Sequence, residues 1–368
     1  MKLGQAISWL MGGLQRSLFP HLEDCWRVPL SEKEKGLVTI LEMIQIEKYV
    51  LRSASDQVMG RKLSERESIA RSFVAKAVYG YPFTRSLIEA LKTTPTLRRI
   101  CGFERVSDIP SESTFSRAFA EFAKSKLGDR VHNALVENSL KPELIGHVSR
   151  DSTAIDGREK PVKKTPKQKA APRKRGRPAN GEQREPKEQT RLERQCEQPA
   201  REALEELPAF CDVGTKKNSK GFKETWIGYK LHADVNDCGL PISVALTAAS
   251  VHDSQVAIPL MKMSSAKVDY LYDVMDAAYD AGPIYEVSRS LGHVPLIDKN
   301  PRGKEVVPMA PHEATRYNER TVVERFNSRI KEEFGANNVM VRGAQKVKMH
   351  LMFGVLALFA DHLIKLAT

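Results

Sequence analysis

The spacing of apolar residues changes near residue 146, and the change divides the chain. Before it, apolar positions recur every three or four residues, as on one helix face. Ser31-x-x-Glu34 forms a capping box ahead of Leu37, Ile40, Leu41 and Ile44. A second helical unit opens at Ser64 and carries Ile69, Phe73, Val74 and Val78. Two segments of short helices follow, SLIEALKTTPTLRRICGF and PSESTFSRAFAEFAKSKL, broken at Pro95 and Pro110. Residues 1–145 thus predict an all-helical N-terminal domain. Arg98, Arg99, Arg117 and Lys124 near the helix ends suit a helix-turn-helix-like DNA reader, and an ordinary bundle accounts for them nearly as well.

Beyond residue 146 strands alternate with helices. HVSRDSTAID reads as a buried strand ending in polar residues. WIGYKLHADV and PISVALTAAS, joined across Asn236-Asp237-Cys238-Gly239, read as a β-hairpin. Next come a helix from 253 to about 264, the strand VDYLYDVMD, a helix over 281–291 and the strand HVPLIDKN. A long helix through Tyr317 and a last apolar helix close the chain. This order predicts an α/β class, a mixed sheet with flanking helices, built from residues 146–157 and 210–368. Residues 158–209 are Pro/Lys-rich and too polar to pack, so they read as a flexible, disordered basic insertion, with order resuming near Phe210.

Charge sharpens this picture. Lys plus Arg number 58 against 46 Asp plus Glu, a net charge of +12. Between residues 158 and 177 lie ten basic residues and one acid, Glu159. So local a basic run suits nucleic acid or an anionic membrane. The membrane is disfavoured, because the best span candidate, residues 350–366, contains Asp361, His362 and Lys365 and reads as an amphipathic core helix. Lys2 and LGQAISWLMGGLQ only loosely imitate a signal peptide, since Gln5, Ser8 and Gln15 interrupt the apolar stretch. Five scattered cysteines with no CxxC pair argue for the cytoplasm and against a disulfide framework or zinc site.

Candidate chemistry concentrates in RYNERTVVERFNSRIKEEFG. Tyr317, Arg320, Glu324 and Lys331 stand at offsets of three, seven and fourteen, within an arc of about 60° on a continuous helix. Val322, Val323, Phe326, Ile330 and Phe334 occupy another stripe, which is the one to be buried. A phenol, a guanidinium, a carboxylate and an ammonium on one face suit phosphoryl transfer on nucleic acid. The bland account is a surface helix laced with ion pairs. Two aspartates shift the balance: Asp151 at the end of the first strand, in RDSTAID, and Asp276 just beyond the fourth, in YDVMDAAYD, can converge with Glu324 from neighbouring strand ends. Such oxygen ligands suit Mg²⁺, with Mn²⁺ as the alternative. Asp156 is the rival of Asp151 if the strand is read out of register. Asp273 and Asp280, like Asp156, are expected to be turn-formers or caps. Trp226 is expected in the core rather than stacked on a base, and His232 and His252 as buried or capping residues rather than ligands.

Together RDSTAID, WIGYKLHADV, SVHDSQVAIPL, DVMDAAYD, the Tyr317 segment and VRGAQKVKMHLMFGVLALFA resemble the bacterial insertion-sequence transposases of the DDE class marked by a Tyr-Arg-Glu-Lys signature. CGFERVSDIPSESTFSRAF resembles their helical leader. The resemblance implies a ribonuclease-H-like core with Asp151, Asp276 and Glu324 as a metal-binding triad. It implies that Tyr317, Arg320 and Lys331 contact phosphates of the element end. It also implies metal-dependent cleavage there, followed by attack of the freed 3′-OH on target double-stranded DNA; the need to hold two DNA ends adds the expectation of a homodimer or higher multimer, nucleoid-associated when DNA-bound. The alternatives are an inactive, sequence-specific DNA-binding descendant and a nuclease without strand transfer. Within the insertion, Arg175-Gly176-Arg177-Pro178 resembles an AT-hook core, whose arginines could enter a narrow A·T minor groove. A generic basic tether explains it equally well.

Overall fold

A computed structural model of the chain describes residues 29–51, 65–141, 143–163, 188–217, 221–301, 305 and 308–367. The N-terminal leader-like segment, Ser64, Arg175 and Arg177 lie outside the described residues. Helix α1 (Glu32–Ile44) starts at the expected capping box: Ser31 Oγ accepts from the Glu34 N–H at 3.3 Å, and the Glu34 carboxylate accepts from the Ser31 N–H at 2.8 Å. Leu37, Ile40, Leu41 and Ile44 are all buried beneath it. Helices α2 (Arg66–Tyr79), α3 (Thr84–Thr93), α4 (Pro95–Ile100), α5 (Glu112–Lys124) and α6 (Leu127–Leu140) follow. Pro95 sits in the first turn of α4, where its missing N–H has no helical partner to lose. Arg98 is no candidate DNA contact. It is buried, and its guanidinium donates to the carbonyls of Leu91 and Lys92 at the end of α3.

Strand β1 (Ile145–Asp156) is central in the sheet. It runs antiparallel to β3 (Lys223–Asn236) and parallel to β5 (Tyr270–Met275). Beyond β5 lies β6 (Val294–Ile297), parallel to it, while β4 (Pro241–Ala248) forms the expected hairpin with β3. An edge strand that the sequence reading missed, β2 (Asp212–Lys217), pairs with the start of β3. The flexible-insertion expectation needs a second correction. Residues 191–205 form α7 (Arg191–Glu197) and α8 (Ala200–Glu205), which pack on α9 (Ser254–Ser265). A capping box of Thr190 and Glu193 starts α7. Lys262 Nζ then donates to the carbonyls of Gln195, Cys196 and Gln198 at 2.9, 2.9 and 2.6 Å, fastening α7 to α9.

After α10 (Gly282–Ser290) and β6, the expected long Tyr317 helix is in two pieces. Helix α11 (Pro311–Tyr317) ends at the tyrosine, a 3₁₀ turn covers Asn318–Arg320, and α12 (Thr321–Glu332) continues. The last helix, α13 (Ala344–Ala367), is apolar and long enough to cross a membrane by composition, yet 72% of its most apolar window is buried in the protein. It packs against α1, α2, α5 and α6 as well as against β4 and α12. The boundary at residue 145 therefore separates element types but not cores: one buried apolar cluster runs from Leu37 through Phe353 to Val244. At Gly354 a Cβ would lie 2.6 Å from the Phe334 carbonyl, so only glycine lets α13 approach the end of α12 this closely.

Beneath the sheet is an ion network with no access to solvent. Arg150 on β1 donates to both Asp234 oxygens on β3 at 2.7 Å and to Asp273 on β5 at 3.3 Å. Burial alone would favour a neutral guanidine, and the two carboxylates outweigh it. Ser264 of α9 completes Asp234 at 2.6 Å, while Ser288 of α10, His293 and Tyr270 complete Asp273 at 2.7, 3.2 and 3.0 Å. Asp273 is thus a buried ion-pair partner rather than the expected cap or turn-former. Replacing Arg150 by Met would leave both carboxylates uncompensated. We expect Arg150→Met to lose about 3–5 kcal/mol in urea unfolding, and a loss under about 1 kcal/mol would contradict the network's role.

Candidate active site

Side chains alternate along a strand, so Asp151 points away from the Arg150 network, toward the face that α12 covers. Arg150 pairs with Met275 in the parallel ladder, and the next residues on the two strands are Asp151 and Asp276. The register places these two aspartates side by side. β1 does not end there, as the sequence reading supposed; pairing with β3 carries it on to Asp156. Five residues further, Asp156 is exposed, on the opposite face, and about 16 Å along the strand. The register question resolves in favour of Asp151 as the partner of Asp276.

Helix α12 packs its apolar stripe on β1 and β3, burying Val322, Val323, Phe326 and Ile330 as the spacing predicted. Ser149 Oγ donates to the Glu319 carbonyl at 3.0 Å and ties the 3₁₀ turn to β1. That places Arg320 beside the aspartates, where its charge acts on both, and the same guanidinium bonds Glu324 one turn on. Tyr317 faces the same group, its half-buried phenol pushed up to about 12 by burial. Lys331 is not with them: it lies down α12 near Lys216 and Asp156.

The pair of aspartates is electrostatically strained. Burial pushes the Asp151 carboxyl up to about 7, and the charges of Asp276 and Asp253 add to it against the Ser152 N–H and Arg320. Burial raises Asp276 as well, although the Ala278 N–H, donating at 2.9 Å, and Arg320 oppose it. Two buried polar atoms beside the pair have no hydrogen-bond partner among the described residues. One is Asn327 Oδ1, whose amide nitrogen donates to Asp151 at 3.1 Å; the other is the Tyr279 hydroxyl, which feels Asp151 and Asp276. Two crowded carboxylates and two orphaned oxygens fit a hard divalent cation with its waters. Among the described residues, though, no three carboxylate, imidazole or thiol groups already converge at ligating distance, since Glu324 is turned to Arg320.

A family model described as a transposase DDE domain matches residues 149–360, and another described as a transposase domain matches residues 28–121. The chain belongs to the DDE transposase family. No curated protein and no solved structure matches it. The matched domain begins inside β1 and ends inside α13, so it takes in the ribonuclease-H-like sheet with Asp151, Asp276 and Glu324.

Reading the transposase sequence alone missed three neighbours of the aspartates. Asn327 stands three residues after Glu324, one helical turn along the same face, a spacing visible in ERFNS. Tyr279 lies in DAAYD. Asp253, in SVHDS, accepts from Ser152 Oγ at 2.8 Å and Lys230 Nζ at 2.9 Å, with His232 Nδ1 3.8 Å away. Burial pushes Asp253 up, but His232 and Lys230 outweigh it and hold it below the ordinary carboxylate value. His232 is fully buried on Thr247 and His252 bonds Ser254 Oγ at 2.8 Å, so both have the structural places expected of them. Trp226 is half-buried, its indole N–H donating to the Tyr229 carbonyl at 3.1 Å. In metal-free buffer at pH 8, we expect Asp151→Asn to raise stability by on the order of 1 kcal/mol in thermal unfolding. Destabilisation of that size would show that the carboxylate's crowding is not as described.

Proposed function

We propose that this transposase belongs to the insertion-sequence branch marked by the Tyr-Arg-Glu-Lys signature. In this reading it cuts DNA at element ends with Mg²⁺ or Mn²⁺ and joins the freed 3′-OH to target DNA. The observation that carries the reading is the side-by-side placement of Asp151 and Asp276 beneath Arg320 and Glu324, with Asn327 Oδ1 and the Tyr279 hydroxyl unpartnered next to them. Asp151 and Asp276 would hold the divalent ion, joined by Glu324 when it leaves Arg320. Bound there, such an ion activates the attacking oxygen and stabilises the leaving one in an in-line displacement.

The chain's own residues have separate tasks. Arg320, released by Glu324, turns its guanidinium to a phosphate of the scissile strand, and Tyr317 offers a phenolic O–H that stays protonated at neutral pH. Asn327 holds Asp151 in one orientation through its amide. Lys331, about 10 Å beyond Glu324 along α12, meets a phosphate away from the cut. Arg175 and Arg177 would add minor-groove contacts, and holding two element ends calls for at least two copies of the chain. A binder that no longer cuts is the second reading, and what favours it is Glu324 engaged with Arg320 rather than with the aspartates.

The deciding experiment uses supercoiled plasmid carrying the element's own ends, with Mg²⁺ and with EDTA. Wild type is expected to cut at the ends only with metal, and Glu324→Gln to cut slower by on the order of 10²-fold or more while still binding DNA. Wild-type binding without any metal-dependent cutting would replace this reading with the second one.

A further inference from the structure

The strongest unassigned feature is a cavity of about 440 Å³ where α2, α3 and α5 meet the loop leading into α13. Its wall includes Lys76 of α2, which is only 7% exposed. The Lys76 ammonium has no hydrogen-bond or ion-pair partner among the described residues, and burial alone pulls it down to about 8. An ammonium held this way is unfavourable unless an anion meets it. The rest of the charge around the cavity has the same sign. Arg158, Arg342 and Lys346 stand at its rim, exposed, against two acids with partners of their own: Glu112, paired with Arg85 at 3.3 Å, and Glu159, which accepts from the Tyr229 hydroxyl and the Gly343 N–H. The neighbouring His350 is kept neutral, at about 4, by burial and by Lys76, and it bonds the Gly335 carbonyl at 3.0 Å, so it supplies no counter-charge. The rim is also built: Arg342 Nε donates to the Arg158 carbonyl at 3.2 Å, and the Gly343 N–H donates to Glu159 at 3.0 Å.

From this we infer that the cavity is a phosphate site, in which Lys76 at the wall and Arg158, Arg342 and Lys346 at the rim take a backbone phosphate of bound DNA. The inference rests on the transposase reading for the source of the phosphate. Its position suits that source. Arg158 stands seven residues beyond Asp151 on the same run of chain, at most about 23 Å away, and Lys331 lies between the two near Asp156. A duplex cut at the aspartates and following β1 would present a phosphate here within one helical turn of the cut. The cavity has room for a phosphate and its sugar but not for a duplex.

The test compares wild type with Lys76→Met and Arg342→Gln, using duplexes that carry the element's ends and fluorescence anisotropy between about 0.05 and 0.2 M salt. Lys76→Met is expected to bind about tenfold more weakly with a salt slope shallower by about one, and yet to melt at a higher temperature because an unpaired ammonium is gone. Arg342→Gln is expected to weaken binding in the same direction without the rise in melting temperature. Equal affinity and slope for wild type and both variants would overturn the phosphate site while leaving the transposase reading intact. Failure of wild type to bind any duplex would overturn both. If inorganic phosphate raises the melting temperature of wild type but Lys76→Met binds DNA normally, the site takes free phosphate and the DNA assignment is wrong.

Discussion

One buried guanidinium organises the sheet, and with it the site. Arg150 joins β1, β3 and β5 through Asp234 and Asp273, and Ser264 and Ser288 bring α9 and α10 onto the same face. Charges this far from water are tolerated only when every partner is in place, so the network penalises any slip of the three strands. Register is what the site requires. A one-residue slip of β1 against β5 would part Asp151 from Asp276 and turn Asp151 toward the wrong face.

The two faces of the sheet divide the work. On one, the Arg150 network is closed and fully satisfied. On the other, the polar groups are crowded or unpartnered: a carboxylate raised to about 7, a second raised beside it, and Asn327 Oδ1 without a hydrogen bond. A site that is to gather a cation and phosphates is expected to be uncomfortable without them, and the closed network opposite keeps that discomfort local. α12 links the halves of the molecule. Its stripe covers the sheet, its polar side faces the aspartates, and its far end is closely packed on α13, the helix around which the N-terminal layer is arranged.

Much of this was legible in the sequence, and the failures share a cause. The capping box at Ser31, the hairpin across residues 236–239, the helix starting near 253 and the buried stripe of α12 all follow from local spacing. The convergence of Asp151 with Asp276 was expected from neighbouring strand ends, but β1 runs on past Asp151, and only the ladder with β5 separates it from Asp156. Polar composition misled in residues 191–207, where the Thr190–Glu193 capping box was a local signal outweighed by the surrounding Lys, Glu and Gln. Arg150 gave no local sign of its burial, because Asp234 and Asp273 are 84 and 123 residues away. The break in the Tyr317 helix was hidden for the same reason, since Ser149, 170 residues earlier, draws the Glu319 carbonyl to itself. Long-range partners, rather than propensity, decided each of these places.

On the proposed reading, the sheet register builds one cation site at Asp151 and Asp276, which Glu324 completes. The most direct measurement is the anomalous signal of Mn²⁺ in crystals of the protein bound to a duplex of the element end. A peak is expected between the Asp151 and Asp276 carboxylates, with Glu324 turned toward it and Arg320 on a phosphate. A peak at Asp156 or Asp253 instead, or none near Asp151 with DNA in place, would contradict it.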